Sequence, residues 1–161
     1  MINQIELKDI VSFQANYLIE IESLLDEIDF SQVNQEKSYC KTGKSVISLS
    51  LLHKDDPDSI VTVILYRDLF KIRVSSFEYV SEESTELQLH EILKNALAGN
   101  YLLIDFMFEN EVVAIKIEWD NQVIAEQILP IRYGWKKTRD IISSGRCKKI
   151  ETKPKSFLNP N

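Results

Sequence analysis

Apolar residues recur along this chain with two different periods, and each switch between them marks a new element. Over the first thirty residues Tyr17, Leu18, Ile21, Leu24, Leu25 and Ile28 fall at spacings of three, four and seven, which sets them on one stripe of a helix. Residues 31–44 are polar and aperiodic and read as a loop. At residue 45 the period drops to two. In 45–52, Ile47, Leu49 and Leu51 share one face and Ser48 and Ser50 the other, as a half-buried strand requires. The run Lys54-Asp55-Asp56-Pro57-Asp58-Ser59 is a turn cluster. Residues 60–66 form a second strand, apolar on both faces except at Thr62 and therefore central. Arg67-Asp68 reverses the chain into a third, where Phe70, Ile72 and Val74 alternate with Lys71 and Arg73.

The helical period then returns. Thr85-Glu86-Leu87-Gln88 has the spacing of a capping box, in which hydroxyl and amide satisfy each other's orphan backbone donors. Leu89, Ile92, Leu93, Ala96 and Leu97 form the stripe that follows, and Gly99 stands where a left-handed residue would end it. Residues 101–108, 112–119 and 123–129 are three more strands, joined by short connections at Glu109-Asn110 and Asp120-Asn121 and stopped by Pro130. Tyr133-Gly134-Trp135 leads into a short third helix that ends near Gly145. The predicted order is α-βββ-α-βββ-(α). This is an α+β fold with one antiparallel sheet of about six strands, built as two three-stranded meanders, carrying an N-terminal and a central helix. One domain is expected over 1–150, with 131–150 as a basic C-terminal segment. Residues 151–161, with Pro154, Pro160 and no apolar period, are expected to form a flexible tail.

Size and composition add little to this picture. A chain of 161 residues buries roughly 70% of its unfolded surface, enough for a core without staples. Its 44% hydrophobic and 27% charged residues are ordinary for a globular protein. The longest apolar stretches are strand-sized, far short of the ~20 residues that span a bilayer. The amino terminus lacks the basic-then-apolar pattern of a secretory signal, so a cytoplasmic location is the expectation. Cys40 and Cys147 are isolated from one another, which favours reduced thiols and leaves a disulfide between them open.

The distribution of charge is more telling. The formal net charge is −6, but residues 1–130 hold 23 acids against 10 bases, a balance of −13, whereas residues 131–161 hold two acids against nine bases, a balance of +7. Such asymmetry speaks to partners and association, not to fold. The acids gather as Glu20, Glu22, Asp26, Glu27 and Asp29 on the first helix, and as Asp55, Asp56 and Asp58 at the first hairpin tip. The bases gather around aromatic rings: Arg132, Tyr133, Trp135, Lys136, Lys137 and Arg139. Clustered cations beside rings suit single-stranded nucleic acid. The simpler reading docks Tyr133, Trp135, Ile141 and Ile142 on the sheet while the cations face acids of the same molecule.

Motifs for chemistry are missing. The acidic loop has a proline in its middle and no distal glutamate in register, unlike a calcium loop. His53 and His90 are framed by no nucleophile elbow and no His-Glu-x-x-His. Cys147, between Arg146 and Lys148, is a thiol whose flanking cations would lower its pKa. The four glycines are scattered singly, where phosphate loops need them clustered. No catalytic residue, metal site or cofactor is predicted.

An acidic, glycine-poor chain without chemistry reads as a non-enzymatic protein-binding protein. The leading expectation is a bacterial immunity or inhibitor protein that neutralises a basic toxin such as a nuclease. Its eight clustered carboxylates would be the contact and steering surface. The order of helix, three strands, helix and further strands is similar to that of chaperones that hold effectors for specialised bacterial secretion, which implies an alternative role as such a chaperone. Nucleic-acid binding through the basic segment is the remaining alternative. Monomer and homodimer both stay open.

Overall fold

The computed structural model describes residues 12–43, 45–80, 89–119, 122–130 and 132–159. The capping-box residues 85–88 and the connection at 120–121 lie outside them. The chain divides into two compact units where the sequence predicts one domain: unit 1 is Met1–Gly99 with Lys155–Asn161, and unit 2 is Asn100–Pro154. Among the described residues the fold is α+β, with two antiparallel sheets of five and four strands and three helices in place of a single six-stranded sheet.

Unit 1 opens with helix α1, Ser12–Leu25, whose stripe buries Leu18, Ile21 and Leu24. Five strands follow as a continuous meander: β1 Tyr39–Thr42, β2 Ile47–Leu52, β3 Ile60–Leu65, β4 Phe70–Val74 and β5 Phe77–Val80. Register sets their alternating apolar residues in rows. Ile47 pairs with Leu65 and Leu65 with Phe70; Leu49 pairs with Val63 and Val63 with Ile72; Leu51 pairs with Val61 and Val61 with Val74. All nine are buried. The Tyr17 ring of α1 meets Phe70 edge-on at 5.2 Å, and Gln14 Nε2 donates to the carbonyls of Ser45 and Leu65, which pins the helix to the sheet. Helix α2, Leu89–Ala98, buries all five residues of its predicted stripe and ends at Gly99, at φ +65°.

Two of these strands break the predicted pattern. β1 lies in the stretch read as a loop, and being largely exposed it has no apolar period to detect. β5 follows a two-residue turn at Ser75-Ser76, with Ser75 at φ +52° where glycine or asparagine is the usual signal. The chain end also differs from the expected tail. Phe157, 1% exposed, is one of the largest buried side chains, and its N–H donates to Leu97 O at 2.7 Å. A single apolar anchor leaves no periodic signature.

Unit 2 is a four-stranded sheet in the order β8-β7-β6-β9, with β6 Leu102–Phe108, β7 Glu111–Trp119, β8 Gln122–Ile128 and β9 Lys148–Thr152. Glu109 and Asn110, both at positive φ, make the two-residue β6–β7 turn. Helix α3, Gly134–Ser143, lies along β7 and β8 and buries Thr138 and Ile141. β9 pairs with β6, not with its sequence neighbour, and Ile150 is its only apolar residue. The basic segment is therefore folded into its own sheet. By unit the formal charge redistributes: unit 1 holds 17 acids and 10 bases, a balance of −7, and unit 2 holds 8 acids and 9 bases, a balance of +1.

Candidate functional site

Of the five acids expected on the first helix only Glu20 and Glu22 lie in α1; Asp26, Glu27 and Asp29 follow its end at Leu25, and the segment 155–159 links that stretch to the acidic β2–β3 hairpin. Beyond α1 the backbone of Asp29 donates to Phe157 O at 2.9 Å, and Asn159 donates to Glu27 O through both its backbone and its side chain. On the other flank Lys155 N–H reaches Ser59 Oγ at 2.8 Å, and the Phe157 ring meets His53 edge-on. Lys54 N–H closes the frame by donating to Gln32 O at 2.8 Å.

The eight predicted acids divide by what they do there. Asp29 caps a 3-10 turn over Phe30–Gln32, accepting from Ser31 N–H at 2.9 Å and from the Gln32 amide at 3.2 Å. The bonds from Ser31 hold its carboxyl below the usual range. Asp56 builds the hairpin tip, accepting from the Ser59 hydroxyl at 2.5 Å and from Asp58 N–H at 3.1 Å. The Ser59 bond lowers its pKa first, and nearby Lys155 adds to this. Glu27 lies 3.9 Å from Lys94. Glu20 is half-buried, with Oε2 shielded from solvent. Glu22, Asp26, Asp55 and Asp58 are exposed, and none of them makes an ion pair with a described residue. Those four are the members of the group that are exposed and unpaired among the described residues.

His53 was legible in the sequence only as a strand-end histidine. Buried at 3% exposure, it accepts Asp55 N–H on Nδ1 at 3.2 Å. That bond and the Phe157 contact make it a structural post between hairpin and strap.

The basic aromatic cluster occupies unit 2. Arg132 pairs with Glu111 at 3.1 Å, and the Tyr133 hydroxyl donates to Glu109 at 2.8 Å. The Tyr133 ring meets Phe108 edge-on at 5.6 Å and carries the cations of Arg132 and Lys137 against it. Arg146 lies over Phe108 and Lys149 over Phe106. Ile141 is buried and Ile142 half-buried, whereas Trp135 does not dock on the sheet and is 59% exposed, beside exposed Lys136 and Arg139. Tyr133, Phe108 and Phe106 thus each face a cation, whereas the Trp135 ring is exposed.

Neither thiol is activated. Burial raises the Cys147 pKa by more than Arg146 lowers it, which corrects the expectation from its flanking cations, and burial raises Cys40 as well. Both cysteines are free. Among the described residues no group of three or more His, Cys, Asp or Glu is placed to hold a metal ion, and no helix is long and apolar enough to cross a membrane. The depression lined by Glu111, Val112, Val113, Leu129, Arg132 and Tyr133 is open, and its one cation is already paired. No family model, curated protein or solved structure matches the chain.

Proposed function

We propose that this chain is a non-enzymatic protein-binding protein that meets a basic partner with the acidic end of unit 1, and that its role is to neutralise a basic toxin such as a nuclease. The observation that carries this reading is the meeting of two sequence-distant acidic clusters across the 155–159 strap, within a unit of formal charge −7. Exposed carboxylates on a rigid frame suit steering: complementary charge raises association rates to about 10⁸–10⁹ M⁻¹s⁻¹ at low salt. Asp29 and Asp56 set the frame, and Glu22, Asp26, Asp55 and Asp58 supply the field.

Co-purification with the product of the adjacent gene tests the reading, followed by association kinetics at two salt concentrations. The expected result is a complex whose on-rate falls steeply with salt. Lysine at all four exposed acidic positions should slow association by about tenfold or more while leaving the fold intact. A neighbour that is neither toxic nor bound, or an on-rate indifferent to salt and to the four substitutions, removes it.

A further inference from the structure

A strand at the edge of a sheet leaves alternate N–H and C=O groups without a ladder partner, so each edge must be guarded or paired. The described sheets present four edges: β1 and β5 in unit 1, β8 and β9 in unit 2. Three carry recognisable guards. β1 and β5 are four residues each and include Lys41 and Glu78. β9 has five residues, of which Lys148, Lys149 and Glu151 are charged. β8 differs from all of them. It runs for seven residues, contains no proline and carries one charge, Glu126.

The ladder shows which backbone groups of β8 are open. Leu129 N–H donates to Val113 O at 2.8 Å, and the same register pairs Gln127 with Ile115 and Ala125 with Ile117. Residues of an antiparallel strand alternate between bonding a neighbour and facing away from it. Ala125, Gln127 and Leu129 therefore bond β7, and the N–H and C=O of Glu126 and Ile128 point outward. No described residue bonds them. Glu126 and Gln127 are exposed, and Val123 is 53% exposed.

We propose that β8 pairs with β8 of a second copy of this chain, antiparallel about a two-fold axis, merging two four-stranded sheets into one of eight. A two-fold contact lets one sequence supply both donors and acceptors. With the axis at Gln127, Glu126 stands opposite Ile128 of the second copy and exchanges both backbone bonds with it, four bonds in all. Ala125 then opposes Leu129, and no like charges face each other across the pair. An axis at Glu126 would oppose two carboxylates. Local charge opposes a second copy only weakly here: unit 2 carries +1, where unit 1 carries −7. Two facing strands make a small contact, so the dimer is weak and concentration-dependent.

Sedimentation equilibrium on the full chain tests this, over about 5 to 500 μM, the range where weak pairing titrates. The expected weight-average mass climbs from 18.7 kDa toward twice that value. Glu126→Pro removes two of the four intermolecular bonds but no bond to β7, since its N–H faces outward; it should weaken the dimer by about tenfold or more. Glu126→Gln keeps the N–H and should dimerise as the wild type does. Gln127→Lys opposes two cations at the axis and should also weaken association, which decides the matter if the proline variant fails to fold. A wild type that stays monomeric at the highest concentration overturns the pairing and leaves an extended segment of another protein as the occupant. So does a folded Gln127→Lys that associates like the wild type.

Discussion

The ring of Phe157 meets the ring of His53 edge-on, 5.5 Å between centroids, and both side chains are buried. This contact joins a residue four positions from the last one to the end of a strand in the first third of the chain. Through it the strap reaches both acidic clusters: Phe157 O accepts from Asp29 beside α1, and Lys155 N–H meets Ser59 at the hairpin. The acidic surface is thus assembled by a segment that itself contributes one cation and no carboxylate to it.

Phe157→Ala should be among the most damaging single changes in unit 1. Emptying a fully buried aromatic site costs about 3–5 kcal/mol, from lost transfer energy and the cavity left behind. Urea unfolding monitored by circular dichroism measures it. A loss under about 1 kcal/mol would mean that the strap is a passive covering and does not frame the acidic end.

Ser59→Ala should destabilise unit 1 and blunt its acid sensitivity. Ser59 is buried; its hydroxyl donates to Asp56 and accepts from Lys155 N–H, so alanine strands a donor and loosens the carboxylate. The cost expected for such a pair is about 1–3 kcal/mol at pH 7. Asp56 is held below its ordinary pKa in the folded state. Its contribution is therefore complete above the unfolded carboxylate pKa and is lost as pH falls through the lower folded value. Stability measured from pH 6 down to pH 2 should fall less steeply in Ser59→Ala than in the wild type. Parallel pH profiles would contradict the assignment.

The sequence disclosed those elements whose apolar period survives in the fold. All six strands it predicts are present as β2, β3, β4, β6, β7 and β8, and α2 buries its stripe residue for residue. It was silent on β1, β5 and β9, edge strands of only four, four and five residues, too short for an apolar period to register. The pairing of β6 with β9 is non-local, so the division into two sheets was hidden as well. At the candidate site the acids were visible one by one. Their meeting was not, because it depends on Phe157, a lone aromatic in a stretch that otherwise looks disordered. The basic segment shows the converse: its charge count was plain, yet Glu109 and Glu111 come to Tyr133 and Arg132 only through the β6–β7 turn.

That arrangement makes a prediction for the basic segment. With Arg132 paired to Glu111 and the Tyr133 ring already engaged, single- and double-stranded oligonucleotides at low salt should produce no gel shift, even though Trp135, Lys136 and Arg139 are exposed. Low salt is the stringent condition, because phosphate binding is strongest there. A shift that Trp135→Ala abolishes would make nucleic acid a partner of this segment.

Asp105 should oppose folding at neutral pH. Its register neighbours on β7 and β9 are Ile115 and Ile150, and its Oδ1 is buried without a hydrogen-bond partner among the described residues. Burial pushes its pKa above the ordinary carboxylate value, and no cation among the described residues offsets it. The sign of the linkage is opposite to that of Asp56. A folded pKa above the unfolded one favours the protonated form, so the folded state is relatively most stable below the unfolded pKa. That advantage is lost as pH rises through the folded value, and the ionised carboxylate then opposes folding at neutral pH. Asp105→Asn keeps the shape and removes the charge. It should leave stability near pH 3 almost unchanged and raise it at pH 7, with the gap between variant and wild type opening above pH 4. Urea midpoints across that range measure the gap, and a variant less stable than the wild type at pH 7 would show that the carboxylate has a stabilising partner.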